Sequence, residues 1–196
     1  MSRVYSIPNL LTYARILAVP LVAAFLFFPH ENWARWSAFT IYAIAGVTDY
    51  LDGYLARAWK LQSSLGRMLD PIADKLLVAV CLLMLVADKT ISGFSIVAAI
   101  VILSREILVS GLREYLAELK VSIPVSQIAK WKTTMQIIAV GFLVVGSAGE
   151  RVLSHTVEIG LALLWIAALL TLYTGADYVF NGIKKLIEED DRASRG

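Results

Sequence analysis

Apolar residues run along this chain in six long blocks. They are Leu10–Phe28, Trp36–Leu51, Leu76–Ala87, Phe94–Leu112, Thr134–Ser147 and Ile159–Ala176. A helix that crosses a bilayer needs about 20 residues, so the blocks predict an all-α, integral membrane bundle of six transmembrane helices. The second and third blocks are short by hydropathy alone. Each extends through a polar stretch, the second into Asp49–Arg57 and the third back to Gly66. Helices whose polar ends line a cavity rather than face lipid have this appearance. Within the extensions, Asp49, Asp52, Gly53 and Ala56 recur at i, i+3, i+4 and i+7, one face of a helix. Gly66, Asp70 and Asp74 recur at i, i+4 and i+8 on the next. A carboxylate at membrane depth costs a few kcal/mol, so four of them mark a functional site.

Composition narrows the class. Of 196 residues, 58% are hydrophobic, above the share in soluble domains. One membrane catalytic domain over residues 1–196 is expected, with an active-site motif at 49–74, an acceptor-side segment at 104–132 and a cytoplasmic tail at 178–196. A net charge of +2 is too small to point to nucleic acid. The lone cysteine, Cys81, excludes an intrachain disulfide and reads as a core or lipid-facing hydrophobe. No secretory leader is evident, because Arg15 interrupts the first apolar run and no cleavage site follows it. The first block is therefore expected to stay as a membrane helix.

The basic residues orient the bundle. With the N-terminus inside, 13 of the 18 Lys and Arg fall on inner segments, and only Arg35, Lys89 and Arg151 fall outside. This bias predicts a multi-pass protein of a bacterial-type cytoplasmic membrane with both termini and the active site facing the cytoplasm. Other polar groups gather on that side: Asn9, Thr12 and Arg15 on the first helix, Arg105, Glu106, Arg113 and Glu114 on the fourth, Lys130 and Lys132 before the fifth. The stretch Glu114–Gln127 is read as a short interfacial helix broken near Pro124, and the tail from Tyr178 as a polar helix or frayed end.

Hard divalent cations take carboxylate and phosphate oxygens. Four aspartates exceed the needs of one Mg2+ and suit two ions, an arrangement that supports in-line displacement at phosphorus. His30 and His155 fall on the outer side, which argues against zinc. Gly53, Ala56 and Gly66 are small enough for a ligand to approach the backbone. Arg57 can grip phosphate oxygens bidentately. Arg105, Arg113, Lys130 and Lys132 suit a second phosphate, and one carboxylate can take a proton from an attacking hydroxyl.

Asp49-x-x-Asp52-Gly53-x-x-Ala56-Arg57, eight residues, then Gly66-x-x-x-Asp70-x-x-x-Asp74 resembles the signature of the CDP-alcohol phosphotransferase family at every fixed position. The resemblance implies that family's six-helix membrane fold, and transfer of a phosphatidyl group from a CDP-linked lipid to an alcohol with release of CMP. It implies that Asp49, Asp52 and Asp70 bind a pair of Mg2+ or Mn2+ ions, and that Asp74 completes the metal site and is the catalytic base. It also implies that Gly53, Ala56 and Gly66 border the nucleotide and Arg57 the diphosphate. Asn9 and Thr12 are expected beside the CDP-lipid. Ser104–Leu119, the run KWKTTMQ from Lys130 and the opening NLLTYARI resemble the phosphatidylglycerophosphate synthase branch, although Lys120 and Ala129 stand where glycines are usual there. That branch implies CDP-diacylglycerol and sn-glycerol 3-phosphate as substrates within membrane lipid, with Arg105, Arg113, Lys130 and Lys132 at the acceptor phosphate. A homodimer is the default assembly.

Plainer readings stand beside these. Asn9 and Thr12 suit an N-cap of the first helix. Arg105 and Arg113 suit an interhelical pair with Glu106, Glu114 or Glu118. Lys130 and Lys132 suit positive-inside anchors, and Trp33, Trp36, Trp131 and Tyr173 suit belt or core positions. An aspartate cluster without metal is expected to repel itself, given few neighbouring cations. Inositol phosphate, serine or phosphatidylglycerol as acceptor is the nearest alternative function. A cation- or proton-coupled transporter is the alternative of another class, though no paired inverted repeat is evident.

Overall fold

A computed structural model describes the backbone of residues 7–59, 64–118 and 127–193, and the side chains of residues 9–49, 68–118 and 131–187. It is built from helices: α1 (Ile7–Leu26), α2 (Asn32–Trp59), α3 (Ser64–Ala87), α4 (Ser95–Glu118), α5 (Gln127–Val145) and α6 (Thr156–Ala193), with a 3-10 turn at Gly146–Arg151 before α6. No strand occurs among the described residues. The short second and third apolar blocks do continue as helix through their carboxylates, to Trp59 and from Ser64. The tail is helical as far as Ala193, in one 38-residue helix. Most of the interfacial helix expected between Glu114 and Gln127 lies outside the described residues.

Among the described residues, four segments are long and apolar enough to cross a membrane: Asn9–Leu26, Ser95–Glu118, Trp131–Arg151 and Thr156–Ile187. The described parts of α2 and α3 fall short of that standard, and both helices carry aspartates toward one end.

The chain forms two compact units, Met1–Gly93 with Ile137–Ala162, and Phe94–Gln136 with Leu163–Gly196. In the first, α1 packs against both α2 and α3. Each helix turns one stripe inward. On α1 it is Thr12, Arg15, Ala18, Val22 and Leu26; on α2, Ala34, Ala38, Tyr42 and Ala45; on α3, Ala73, Leu77, Cys81 and Leu85. Alanines along α2 let its neighbours come close. Cys81 is therefore a core residue. Trp33, Trp36, Trp131 and Tyr173 are exposed, so of their two readings the core one does not hold.

One end of this unit is closed by Arg35, whose side chain is 5% exposed. Its guanidinium donates to the carbonyls of Pro29, Leu143 and Val144, to Thr90 Oγ1 at 2.8 Å and to Asp88 Oδ2 at 2.6 Å. Gly146, at φ +54°, leaves the space this needs, since a Cβ there would lie 2.8 Å from an Arg35 nitrogen. Asp88 also accepts from the Thr90 amide at 2.8 Å, which holds Lys89 in the left-handed conformation that ends α3.

In the second unit, α4 and α6 run side by side in the same direction. Phe94 stacks on Trp165 with ring centroids 5.1 Å apart. Further along, Arg105 meets Thr174, and Leu112 and Leu116 close on Gly182.

Candidate active site

The inward stripes of the first unit are apolar over most of their length and turn polar at the end away from Arg35. On α1, Ala18 and Val22 give way to Arg15, Thr12 and Asn9, all buried. On α2 the Ala38, Tyr42, Ala45 row meets Asp49 one turn on. On α3 the Ala73, Leu77 row is preceded by Asp70, with Asp74 beside it. Because α1 and α3 run in parallel and α2 against both, these polar ends coincide.

The contacts follow from that register. Thr12 donates its hydroxyl to Asp70 Oδ1 at 2.5 Å. Arg15 places one nitrogen, Nη1, 2.7 Å from Asp74 Oδ1 and 3.0 Å from Asp49 Oδ1. The arginine side chain is 1% exposed, whereas both aspartates are 43% exposed. A buried cation thus lies behind carboxylates that face outward. Pro71, between Asp70 and Asp74, removes one amide donor from the α3 ladder within the motif.

Thr12 and Asn9 both lie inside α1, which starts at Ile7, so neither caps that helix. Nor is the cluster short of positive charge, as the sequence suggested: Arg15 partly neutralises it without metal. Arg15 is the residue missed. The sequence placed it on the site's side of the first helix without a role, yet Asn9, Thr12 and Arg15 are each three residues apart and share a face. The side chains of Asp52, Gly53, Ala56 and Arg57 on α2, and of Gly66 on α3, lie outside the described residues.

The donor set suits a hard cation. Asp49, Asp70 and Asp74 offer only oxygen, and oxygens of two of them already share a neighbour within about 3 Å, the reach at which a positive charge bridges carboxylates. No set of three or more His, Cys, Asp or Glu close enough to hold a metal is present among the described residues. The three aspartates are held instead through Thr12 and Arg15.

A second polar cluster occupies the other unit. Glu106 on α4 accepts from Arg105 at 3.2 Å and from Lys132 on α5. Arg105 also reaches Thr174 Oγ1 on α6 at 3.3 Å. Gly175 makes room for it, because a Cβ there would lie 2.7 Å from Arg105 Cγ. The Nε of Arg105 is buried with no hydrogen-bond partner among the described residues. Lys132 is buried, which excludes a role as an anchor at the membrane surface. Arg105 does pair with a glutamate, though with its own chain neighbour rather than across helices. Arg113 is exposed and its guanidinium lies 5.6 Å from the ring centre of Tyr178, a cation–π contact. The Lys130 side chain lies outside the described residues. Thr174 and Gly175 escaped sequence reasoning, since a Thr-Gly pair in an apolar helix signals close packing more often than a charge cradle.

Comparison with known proteins agrees with the motif. The family model described as CDP-alcohol phosphatidyltransferase matches residues 5–173. The chain is 39% identical to a protein of Cereibacter sphaeroides over 94% of this chain and 99% of the relative. It is 44% identical to one of Rickettsia bellii over 92% and 96%, and 36% identical to one of Shigella flexneri over 94% and 99%. All three relatives bear the name CDP-diacylglycerol–glycerol-3-phosphate 3-phosphatidyltransferase. With the aspartate motif inside the matched span and near full-length relatives on every side, this chain belongs to the CDP-alcohol phosphatidyltransferase family.

Proposed function

We propose that this chain transfers the phosphatidyl group of CDP-diacylglycerol to sn-glycerol 3-phosphate, giving phosphatidylglycerol phosphate and CMP. The observation that carries the reading is the gathering of Asp49, Asp70 and Asp74 by Thr12 and Arg15, in a chain 39% identical over 94% of its length to a relative of that name. The enzyme is an integral protein of a bacterial cytoplasmic membrane and acts as one catalytic domain. All six helices cross the bilayer, and the termini and aspartates face the cytoplasm. α2 and α3 cross despite their charges, because those charges end in the site rather than in lipid. A homodimer is the assembly proposed.

Asp49, Asp52, Asp70 and Asp74 would hold two Mg2+ or Mn2+ ions. When bound, the ions offset the charge of the diphosphate and of the departing CMP. Arg57 grips phosphate oxygens, and Gly53, Ala56 and Gly66 let the nucleotide lie against helix backbone. Asn9 borders the CDP-lipid, and Thr12 acts there through Asp70, to which it donates. The acceptor hydroxyl oxygen bonds to the phosphorus that carries diacylglycerol. The bond from that phosphorus to the CMP oxygen breaks, and the hydroxyl proton passes to Asp74. Arg105 and Lys132, held ready by Glu106, receive the acceptor phosphate with Arg113 and Lys130. The orphaned Arg105 Nε supports this assignment, since a buried donor without a partner calls for an acceptor.

An acceptor panel tests the reading. Purified protein is given labelled CDP-diacylglycerol with glycerol 3-phosphate, inositol phosphate, serine or phosphatidylglycerol. CMP release with glycerol 3-phosphate alone is the expected result. Faster turnover with any other acceptor replaces the substrate, and cation uptake into proteoliposomes without CMP release replaces the class.

A further inference from the structure

Arg15 takes no part in the transfer step described above. It is nearly fully buried, it lies on α1 rather than on either helix of the motif, and one of its nitrogens serves two carboxylates from different helices. Burying a guanidinium is unfavourable unless its charge is met. Here Asp49 and Asp74 meet it, at 3.0 and 2.7 Å from the same nitrogen. Thr12, one turn earlier, treats Asp70 in the same way. α1 thereby contacts all three described carboxylates while adding none of its own.

We infer that Arg15 is a positioning residue, an internal counter-ion that joins the Asp49 and Asp74 carboxylates across α2 and α3 and keeps that pair together before metal binds. Two carboxylates brought close to one point repel each other and push their helices apart. A cation fixed at that point turns the repulsion into two attractions, and a buried one is screened little by salt. Arginine suits the task because it stays charged when buried and its planar head has several donors in fixed directions. Its single shared nitrogen holds one oxygen of Asp49 and one of Asp74 within about 3 Å of the same point, so these two carboxylates are already together when metal enters. The inference rests on the metal reading above, not on the choice of acceptor.

The test is thermal and needs no substrate. Melting is followed for the detergent-purified protein in chelator and in saturating Mn2+. The wild-type chain should show a modest gap between the two conditions. Arg15→Gln, which keeps polarity and loses charge, should melt lower in chelator by roughly 5 °C or more and regain much of the loss with Mn2+. Arg15→Lys, which keeps the charge, should hold the gap near the wild-type value. An equal fall in both conditions would mean that Arg15 only fills space, and an unchanged gap would overturn the inference. Should Arg15→Gln not fold in either condition, the double variant Arg15→Gln/Asp49→Asn decides. Relief of repulsion should restore a folded chain, and continued failure counts against the counter-ion role. If the melting pattern holds while the acceptor panel fails, only the substrate assignment falls.

Discussion

At the scale of single residues, the four aspartates of the motif are not equivalent. Asp70 accepts from a neutral hydroxyl, while Asp49 and Asp74 share a buried cation. Asp74 is the one proposed to take the proton of the acceptor hydroxyl. Replacing it by the near-isosteric amide separates chemistry from binding. Asp74→Asn should still bind CDP-diacylglycerol, since size and hydrogen bonding persist, while kcat falls by roughly 10²–10⁴, the range ordinary for loss of a general base. Equilibrium binding of labelled CDP-diacylglycerol beside single-turnover CMP release measures both. Undiminished release would remove Asp74 from the role of base.

At the scale of elements, each helix of the first unit does two jobs along one stripe. Arg35 and Asp49 are both on α2, 14 residues apart, and Asp74 on α3 and Asp88 just past its end are separated equally. At 1.5 Å per residue the closed polar end and the site are about 21 Å apart. The sequence showed where these helices run, because Ala38, Tyr42 and Ala45 repeat at helical spacing and lead directly to Asp49. It did not show the Arg35 network. That arginine read as one of three outer charges, and nothing in a linear pattern reports that carbonyls of Leu143 and Val144, more than 100 residues away, converge on it. Breaking a buried ion pair by removing one member costs about 3–5 kcal/mol. Arg35→Met should therefore lower the melting temperature well below that of the wild type, yet leave kcat near normal at low temperature, because the carboxylates are untouched. Turnover lost at low temperature with no fall in melting temperature would show that the network reaches the site directly.

At the scale of the whole molecule, periodicity and charge bias foretold a helical membrane protein, and the spacing of Asp49 through Asp74 foretold its family. Division of the chain into two units was not legible, since it depends on which helices exchange side chains rather than on any break in composition. Nor was the Glu106 cluster in its final form. Arg105 and Lys132 were visible as charges, but the bond each makes to one glutamate required α4 and α5 to be seen together. Orientation remains the property read from sequence alone, through the excess of Lys and Arg on inner segments. It can be measured with little background, because the only cysteine, Cys81, is fully buried and slow to react with a bulky reagent. Ser154 lies exposed just before α6, and Lys184 lies exposed on the last turns of that helix. From Thr156 to Lys184, 28 residues on, the helix rises about 42 Å at 1.5 Å per residue, enough to cross a hydrocarbon core of about 30 Å. With a membrane-impermeant maleimide, Ser154→Cys should label in intact spheroplasts, whereas Lys184→Cys should label only after permeabilisation. Labelling of Lys184→Cys from outside would place the carboxylates on the wrong side for a cytosolic acceptor, because α2 and α3 carry them on the same face of the membrane as the tail in a six-span topology.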